Sequence, residues 1–247
     1  MTIATKCYGI LLATLLLGAC GLNQTQAKTP EQVKNVLEQK YKDQNIKINS
    51  IKESPVDGWY EAVLSGNQLV YVDKDARYIF DGELIDLQEK KNLTAERQKE
   101  LNKVDFSQLP LDNAIKEVRG NGQNKIVVFS DPDCPYCHKL EVEFGKLTDV
   151  TIYTLLIPID TLHPDARYHS EQLWCQKDRT NAWISYMRNG KAPQKVDKCE
   201  NPIEKNLAVA DKLGFHGTPT IVFPNGQIMP GYAPATVLQK TIAENQS

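Results

Sequence analysis

Cys134 and Cys137, two cysteines with a Pro-Tyr pair between them, carry the clearest chemistry in this sequence. A thiolate attacks disulfides and a second thiol nearby can resolve the product, so the pair reads as redox-active, with Cys134 attacking and Cys137 resolving. The run Val127-Val128-Phe129-Ser130 before it is apolar and β-branched, the pattern of a buried strand. Asp131-Pro132-Asp133 breaks that strand as a turn, and Pro135 suits the first position of a helix. Tyr136, Leu140, Phe144 and Leu147 follow at helical spacing and are read as its apolar face. Cys134 is thereby placed at a helix N-terminus, where unpaired N–H groups and the helix dipole lower a thiol's pKa. His138 reads as an exposed residue of the first turn or as a group that tunes the thiolate. A zinc site would need a second close-spaced pair, which Cys175 and Cys199 do not form. The haem-attachment reading of Cys-x-x-Cys-His requires no preceding strand and explains nothing else in the chain. Neither a metal nor a cofactor is expected.

The 247 residues suffice for two modest domains, and the formal net charge of -2 with no basic stripe argues against nucleic acid as a partner. Residues 1–27 read as a targeting segment. Lys6 precedes an apolar run from Tyr8 to Gly18 that is too short to span a bilayer. Leu17-Gly18-Ala19-Cys20 is similar to a bacterial lipobox, with Cys20 as the lipidated first residue of the mature chain; Thr25-Gln26-Ala27 is a weaker, ordinary cleavage site. Either reading exports the protein and removes Cys7. Setting Cys20 aside as well, Cys134, Cys137, Cys175 and Cys199 remain, an even number in an oxidising compartment. That number fits two disulfides, Cys134–Cys137 as the active pair and Cys175–Cys199 as a structural staple.

Residues 28–88 read as a small α+β domain. Thr29, Pro30 and Gln32 form a capping box at the start of a helix whose apolar face is Val33, Val36, Leu37 and Tyr41. Strand-like runs follow at 46–51, 59–64, 69–72, 78–80 and 84–87, separated by Gly, Asn and Asp turns. So small a unit has edges to hide. Dimerisation through a sheet edge would hide them, and charges such as Lys74, Asp75 and Arg77 would protect them otherwise. Residues 89–105 read as a mostly exposed linker helix, and 106–247 as the catalytic domain. There a second buried strand at 151–157 precedes a largely helical stretch, 164–213, interrupted by Asn189-Gly190 and Pro193. Leu207, Ala210 and Leu213 are its core stripe. Pro219 stands immediately before the strand pattern Thr220 to Phe223, which a cis Thr218–Pro219 bond would explain. Pro224-Asn225-Gly226 then turns a hairpin, and a last helix starts at Pro234.

This order of elements matches the thioredoxin fold. The ordered set Phe129-Ser130-Asp131, Cys134-Pro135-Tyr136-Cys137-His138-Lys139, Trp174-Cys175-Gln176-Lys177-Asp178 with Cys199, and Gly217-Thr218-Pro219-Thr220 with Asn225-Gly226 and Pro230-Gly231-Tyr232 is specific. Over almost the whole chain after the leader it resembles the bacterial periplasmic protein-disulfide isomerases of the DsbC/DsbG family. The resemblance implies an α+β N-terminal dimerisation domain, a linker helix, and an α/β thioredoxin-like catalytic domain with a helical insertion. It implies a periplasmic V-shaped homodimer that rearranges incorrect disulfides in misfolded or oxidised proteins and is kept reduced by a DsbD-like membrane protein. Thr218 and Pro219, with Pro135 and Tyr136, would bind extended substrate beside the active pair. DsbC usually has Gly where Pro135 stands, as DsbG does not, whereas Cys175–Cys199 is typical of DsbC. The chain is therefore DsbC-like, with a DsbG-like reductase of oxidised thiols or a holdase chaperone as the rival expectations.

Overall fold

The computed structural model describes residues 27–44 and 46–246; residues 1–26, with Cys7 and Cys20 and nearly all of the expected targeting segment, lie outside them. The chain forms two compact units, with the break at Phe80/Asp81 and residues 66–69 grouped with the second. Among the described residues no helix is long and apolar enough to cross a membrane.

In the first unit, Thr29 caps α1 (Pro30–Lys40) reciprocally: its hydroxyl accepts the Gln32 N–H and the Gln32 side chain accepts the Thr29 N–H at 2.9 Å. Val33 and Leu37 bury the inner face of the helix among Ile48, Tyr60, Ala62, Val70 and Val72. These come from β1 (Ile48–Glu53), β2 (Trp59–Leu64) and β3 (Leu69–Asp73), which with β4 (Ile79–Phe80) form a sheet in sequence order. β4 is an edge strand, and Tyr78, Ile79 and Phe80 are all exposed there.

The second unit opens with the hairpin β5 (Ile85–Asp86) and β6 (Lys91–Asn92), then α2 (Leu93–Leu101), capped by Asn92 and with no buried residue. Its main elements are β7 (Ile115–Arg119), β8 (Asn124–Ser130), α3 (Pro135–Phe144), β9 (Val150–Leu156), α4 (Ala166–Trp174), α5 (Arg179–Asn189), α6 (Ile203–Lys212), β10 (Thr220–Val222), β11 (Ile228–Pro230) and α7 (Ala235–Glu244). The sheet order is β11-β10-β8-β9-β7. α3 makes the crossover between the parallel strands β8 and β9, while β7, β10 and β11 pair antiparallel. β8 is central and covered on both faces, so it reads as a continuous apolar run without alternation. Ile126 and Val128 pack with Leu140, Phe144 and Leu238 on one face; Val127 and Phe129 pack with Leu155 and Ala210 on the other. Leu207 and Leu213 flank this second core half-buried. In the β10–β11 turn, Gly226 takes φ +85° and passes so close to the Val104 carbonyl that a Cβ would lie 2.4 Å from it, so only glycine fits.

Two features depart from the sequence reading. β7 is a strand that its charges conceal: Ile115 and Glu117 face inward while Lys116 faces out. Tyr136 does not belong to the buried face of α3, where Cys137, Leu140, Glu141 and Phe144 lie; the residue is 58% exposed. A residue one position off the buried stripe turns outward at the first turn, and here Cys137 takes the inner place.

Glu117, Glu141 and Arg188 join β7, α3 and α5. The Arg188 guanidinium donates to both Glu117 oxygens (2.9 and 2.5 Å) and to Glu141 Oε2 (2.8 Å), and Trp183 Nε1–H donates to Glu141 Oε1 at 2.8 Å. Burial opposes ionisation of Glu117, but Arg188 and Arg119 overcome it and hold the carboxyl below its usual range. Burial pushes the Glu141 carboxyl up despite Arg188. The segment between α5 and α6 has no regular structure and is fastened from α4 instead. Cys175, just past α4, is bonded to Cys199 with Cα atoms 5.7 Å apart. Gln172 pairs with the Val196 backbone, and Trp174 Nε1–H donates to the Glu200 carbonyl at 3.2 Å.

Arg188→Ala should lower unfolding stability by about 3–5 kcal/mol, because it leaves the buried Glu141 with no cation and Glu117 with Arg119 alone; urea denaturation of the variant against the wild type measures this. Replacing Cys175 and Cys199 together by Ser should cost about 3 kcal/mol, the loop-closure value for a bridge of this span. In that double variant the reactivity of Cys134 should be unchanged.

Candidate active site

β8 delivers the chain to the site from the centre of the sheet, and Asp131 ends it. Asp131 is fully buried: Oδ1 accepts the Asp133 N–H at 2.8 Å, and Oδ2 accepts the Ile159 N–H at 2.7 Å and His163 Nδ1–H at 2.9 Å. Its own carbonyl accepts the Cys134 N–H at 3.3 Å. The loop is thereby closed before the helix begins. The hydrogen bond to Asp131 raises the His163 pKa above the ordinary histidine value.

Cys134 is the N-cap of α3 and Pro135 its first residue. Proline has no N–H to leave unpaired there, and the N–H groups of Tyr136 and Cys137 are directed at the Cys134 sulfur. Cys134 and Cys137 are both free thiols and both buried, at 6% and 1% exposure. The Cys134 thiol is lowered to about 5. The Cys137 thiol contributes most to this by hydrogen bonding, burial works against it, and the Thr218 side chain and the helix N–H groups add to it. Cys137 moves the other way: burial raises its thiol, and the charge on Cys134 raises it further, with Ser130 opposing. At neutral pH the pair therefore holds one charge, on the outer sulfur, with the single proton on the inner one.

The Thr218–Pro219 peptide bond is cis, and the Thr218 carbonyl lies 3.5 Å from Cys134 Sγ. Thr218, Pro219, Gly217, Thr220 and Pro230 line a groove of about 300 Å³. Pro135 and Tyr136 lie exposed on the surface next to the sulfur, with Lys139 Nζ 5.1 Å from the centre of the Tyr136 ring. The structure thus brings Cys134, Cys137 and Thr218 together and leaves Pro135 and Tyr136 facing solvent. Cys175–Cys199 belongs to the insertion, and Cys20 lies outside the described residues. Among the described residues no three His, Cys, Asp or Glu side chains are grouped to hold a metal ion.

His138 is half-buried and not the exposed residue the sequence reading favoured. Its Nδ1 lies 3.0 Å from the Met187 carbonyl oxygen and its Nε2 2.6 Å from that of Pro132, so it ties α3 to α5 and to the loop. Sequence reasoning also passed over Asp133, His163, His169 and Tyr186. Asp133 and Asp131 stood inside the motif but read only as turn residues. The others come from distant helical or loop positions that no local spacing connects to the cysteines.

Comparison with known proteins agrees with this geometry. Residues 111–246 match the thioredoxin-like domain family, and residues 24–95 match the disulfide bond isomerase protein N-terminal domain. The probable thiol:disulfide interchange protein DsbC of Bordetella avium is 35% identical over 225 residues, covering 90% of this chain and 79% of that protein. The thiol:disulfide interchange protein DsbC of Escherichia coli K12 is 29% identical over 245 residues, 96% of each. The crystal structure of a disulfide interchange protein from Neisseria gonorrhoeae, 52% identical, covers 56% of this chain and 99% of its own, with a TM-score of 0.55. With a free Cys-x-x-Cys pair at a helix start, a cis-proline loop beside it and both domain families matched in order, the chain belongs to the DsbC family of thiol:disulfide interchange proteins.

Proposed function

We propose that Cys134 is the nucleophile and Cys137 the resolving thiol of an exported protein-disulfide isomerase and reductase acting in the periplasm. The observation that carries this reading is the asymmetry of the pair: an outer thiol lowered to about 5 and an inner thiol raised by burial. The Cys134 thiolate attacks one sulfur of a wrong substrate disulfide. A new S–S bond forms to Cys134, and the other substrate sulfur leaves as a thiolate with the bonding electrons. A further substrate thiolate then attacks the substrate sulfur of the mixed disulfide and releases Cys134 reduced, so isomerisation has no net oxidation. If that attack fails, Cys137 loses its proton and attacks the Cys134 sulfur. The substrate leaves reduced by two electrons, and the Cys134–Cys137 disulfide remains. Because Cys137 is held as the thiol, this escape is slow and the mixed disulfide has time to rearrange.

Thr218 and Pro219 offer extended substrate a backbone edge beside the sulfur, and the exposed Pro135 and Tyr136 form the other side of the landing area. A DsbD-like membrane reductase would return the oxidised pair to dithiol, and Cys20 would carry the lipid if the lipobox is used. Residues 89–105 serve as the connector between an N-terminal dimerisation domain, 28–88, and the catalytic domain, 106–247. The exposed edge of β4, with Ile79 and Phe80, supports pairing of two such N-terminal domains. Pro135, as in DsbG, favours a second role in reducing oxidised protein thiols.

Cys134→Ser should abolish refolding of a scrambled multi-disulfide substrate, whereas Cys137→Ser should accumulate mixed disulfides visible by mass. Retained turnover in Cys134→Ser would refute the assignment, and retained suppression of aggregation of a cysteine-free client would reveal a holdase. Since Cys134 ionises at about 5, its alkylation rate should be flat through neutral pH and fall as pH drops through that value. Sedimentation of the mature chain should give twice the chain mass; a monomer at micromolar concentration would sink the dimer.

A further inference from the structure

Around Asp133 lies a group of side chains that the thiol chemistry does not itself use. Asp133 immediately precedes Cys134, and its side chain is 17% exposed. His169 Nδ1, from α4, lies 2.8 and 2.9 Å from its two oxygens, and the Tyr186 hydroxyl, from α5, lies 2.7 Å from Oδ1. A carboxylate only accepts, so His169 carries a proton on Nδ1 and Tyr186 donates its own. Burial and the bond to Asp133 raise the Tyr186 phenol, which stays protonated.

The other charged and titratable groups nearby have separate partners. Asp131 holds His163 and two backbone N–H groups. His138, on α3, faces two carbonyls and packs its ring edge-on to Tyr186, with centroids 5.6 Å apart. Asp165, at the start of α4, is the remaining acid whose charge bears on Tyr186. Asp133 is thus the carboxylate adjacent in sequence to the nucleophile, and both of its side-chain partners belong to the helical insertion.

A negative charge beside a thiol opposes its ionisation. We infer that His169 and Tyr186 are positioning residues for the exchange reaction: they hold the Asp133 carboxylate against α4 and α5, away from the Cys134 sulfur, and so set the fraction of thiolate and the redox poise of the pair. The inference rests on Cys134 being the nucleophile. It assigns the insertion an electrostatic role at the active site, in addition to its packing. Without the two donors the carboxylate is free to turn toward the sulfur, the thiolate loses stability, and the reduced pair is disfavoured, which makes the protein more reducing.

The test uses the full mature chain, reduced, with alkylation by iodoacetamide against pH and mass mapping of the labelled peptide, together with equilibration against glutathione. In His169→Leu/Tyr186→Phe the midpoint for Cys134 should rise by about one pH unit, a tenfold loss of thiolate on the acid side. The equilibrium with glutathione should shift about tenfold, or about 30 mV more negative for this two-electron couple. Tyr186→Phe alone, which removes one oxygen, should move both in the same direction by less. Adding Asp133→Asn to the double variant should return both to wild-type values, because the charge is then gone whatever the loop does. A midpoint that does not move, or a rise that persists with Asp133→Asn, overturns the inference, the latter by showing that the helices act on the loop through packing alone. Label appearing first on Cys137 in the wild-type protein would instead overturn the choice of nucleophile, and this inference with it.

Discussion

A sulfur that is almost buried and yet charged is the constraint around which the catalytic unit is built. Removing a charge from water is costly unless fixed dipoles replace the solvent. At Cys134 the replacement comes from one proton, held by Cys137, and from the N–H groups that the first turn of α3 leaves unpaired. None of these donors is useful unless α3 starts at Pro135. That start depends in turn on β8 ending at Ser130 and on Asp131 fastening the loop between them. Ser130 also bonds the inner thiol, so the last residue of the central strand takes part in the same hydrogen-bond chain. The depth of β8 in the core therefore matters to the chemistry: the donors can be rigid because the strand that aims them is buried on both faces.

The rest of the unit opposes movement of that helix. Arg188 fastens α3 and α5 to β7 through two carboxyl groups, and its burial makes the arrangement specific more than it makes it strong. A hydrophobic replacement of the whole cluster would pack as well, but it would not fix the angle of α3 by directional bonds. His138 adds a second tie at the other end of the helix, reaching α5 through the Met187 carbonyl and the loop through that of Pro132. The insertion is held in its own turn by Cys175–Cys199 and by Gln172, since the segment after α5 lacks a ladder of its own. Support runs outward from the sulfur, through α3, to the insertion and its disulfide.

What was legible in the sequence was what local physics decides. The capping box at Thr29 and Gln32, the strand-turn-proline entry to Cys134 and the proline before β10 each announce themselves within a few residues. β7 was not legible because its inward Glu117 looks like a surface charge until Arg188, on a distant helix, is known to face it. Tyr136 was misassigned because apolar spacing alone cannot say which of two adjacent positions turns inward at the first turn of a helix; Cys137, small and hardly exposed, takes the core position. The histidines and Tyr186 were missed for a related reason. Each makes its contacts with the active-site loop across tens of residues, and no pattern within the insertion distinguishes a residue that points to the loop from one that points to solvent.

The division of labour between the two sulfurs follows from depth as much as from sequence order. Both sit at the same end of one helix, but Cys134 keeps 6% of its surface exposed and Cys137 only 1%. Burial alone would raise both thiols. The hydrogen bond from Cys137, with Thr218 and the helix start, reverses that effect only for the outer one, whose proton passes to solvent while the inner thiol keeps its own. In the proposed reaction, once Cys134 is tied to a substrate its charge is gone, and with it both the hydrogen bond and the repulsion by which Cys134 raises Cys137; what remains is desolvation. Escape by Cys137 is thus hindered but not forbidden, and forming the mixed disulfide is itself what eases it. An exchange protein needs that ordering, because a resolving thiol that ionised early would release every substrate before its disulfides could be rearranged, and one that never ionised would leave the protein bound to its failures.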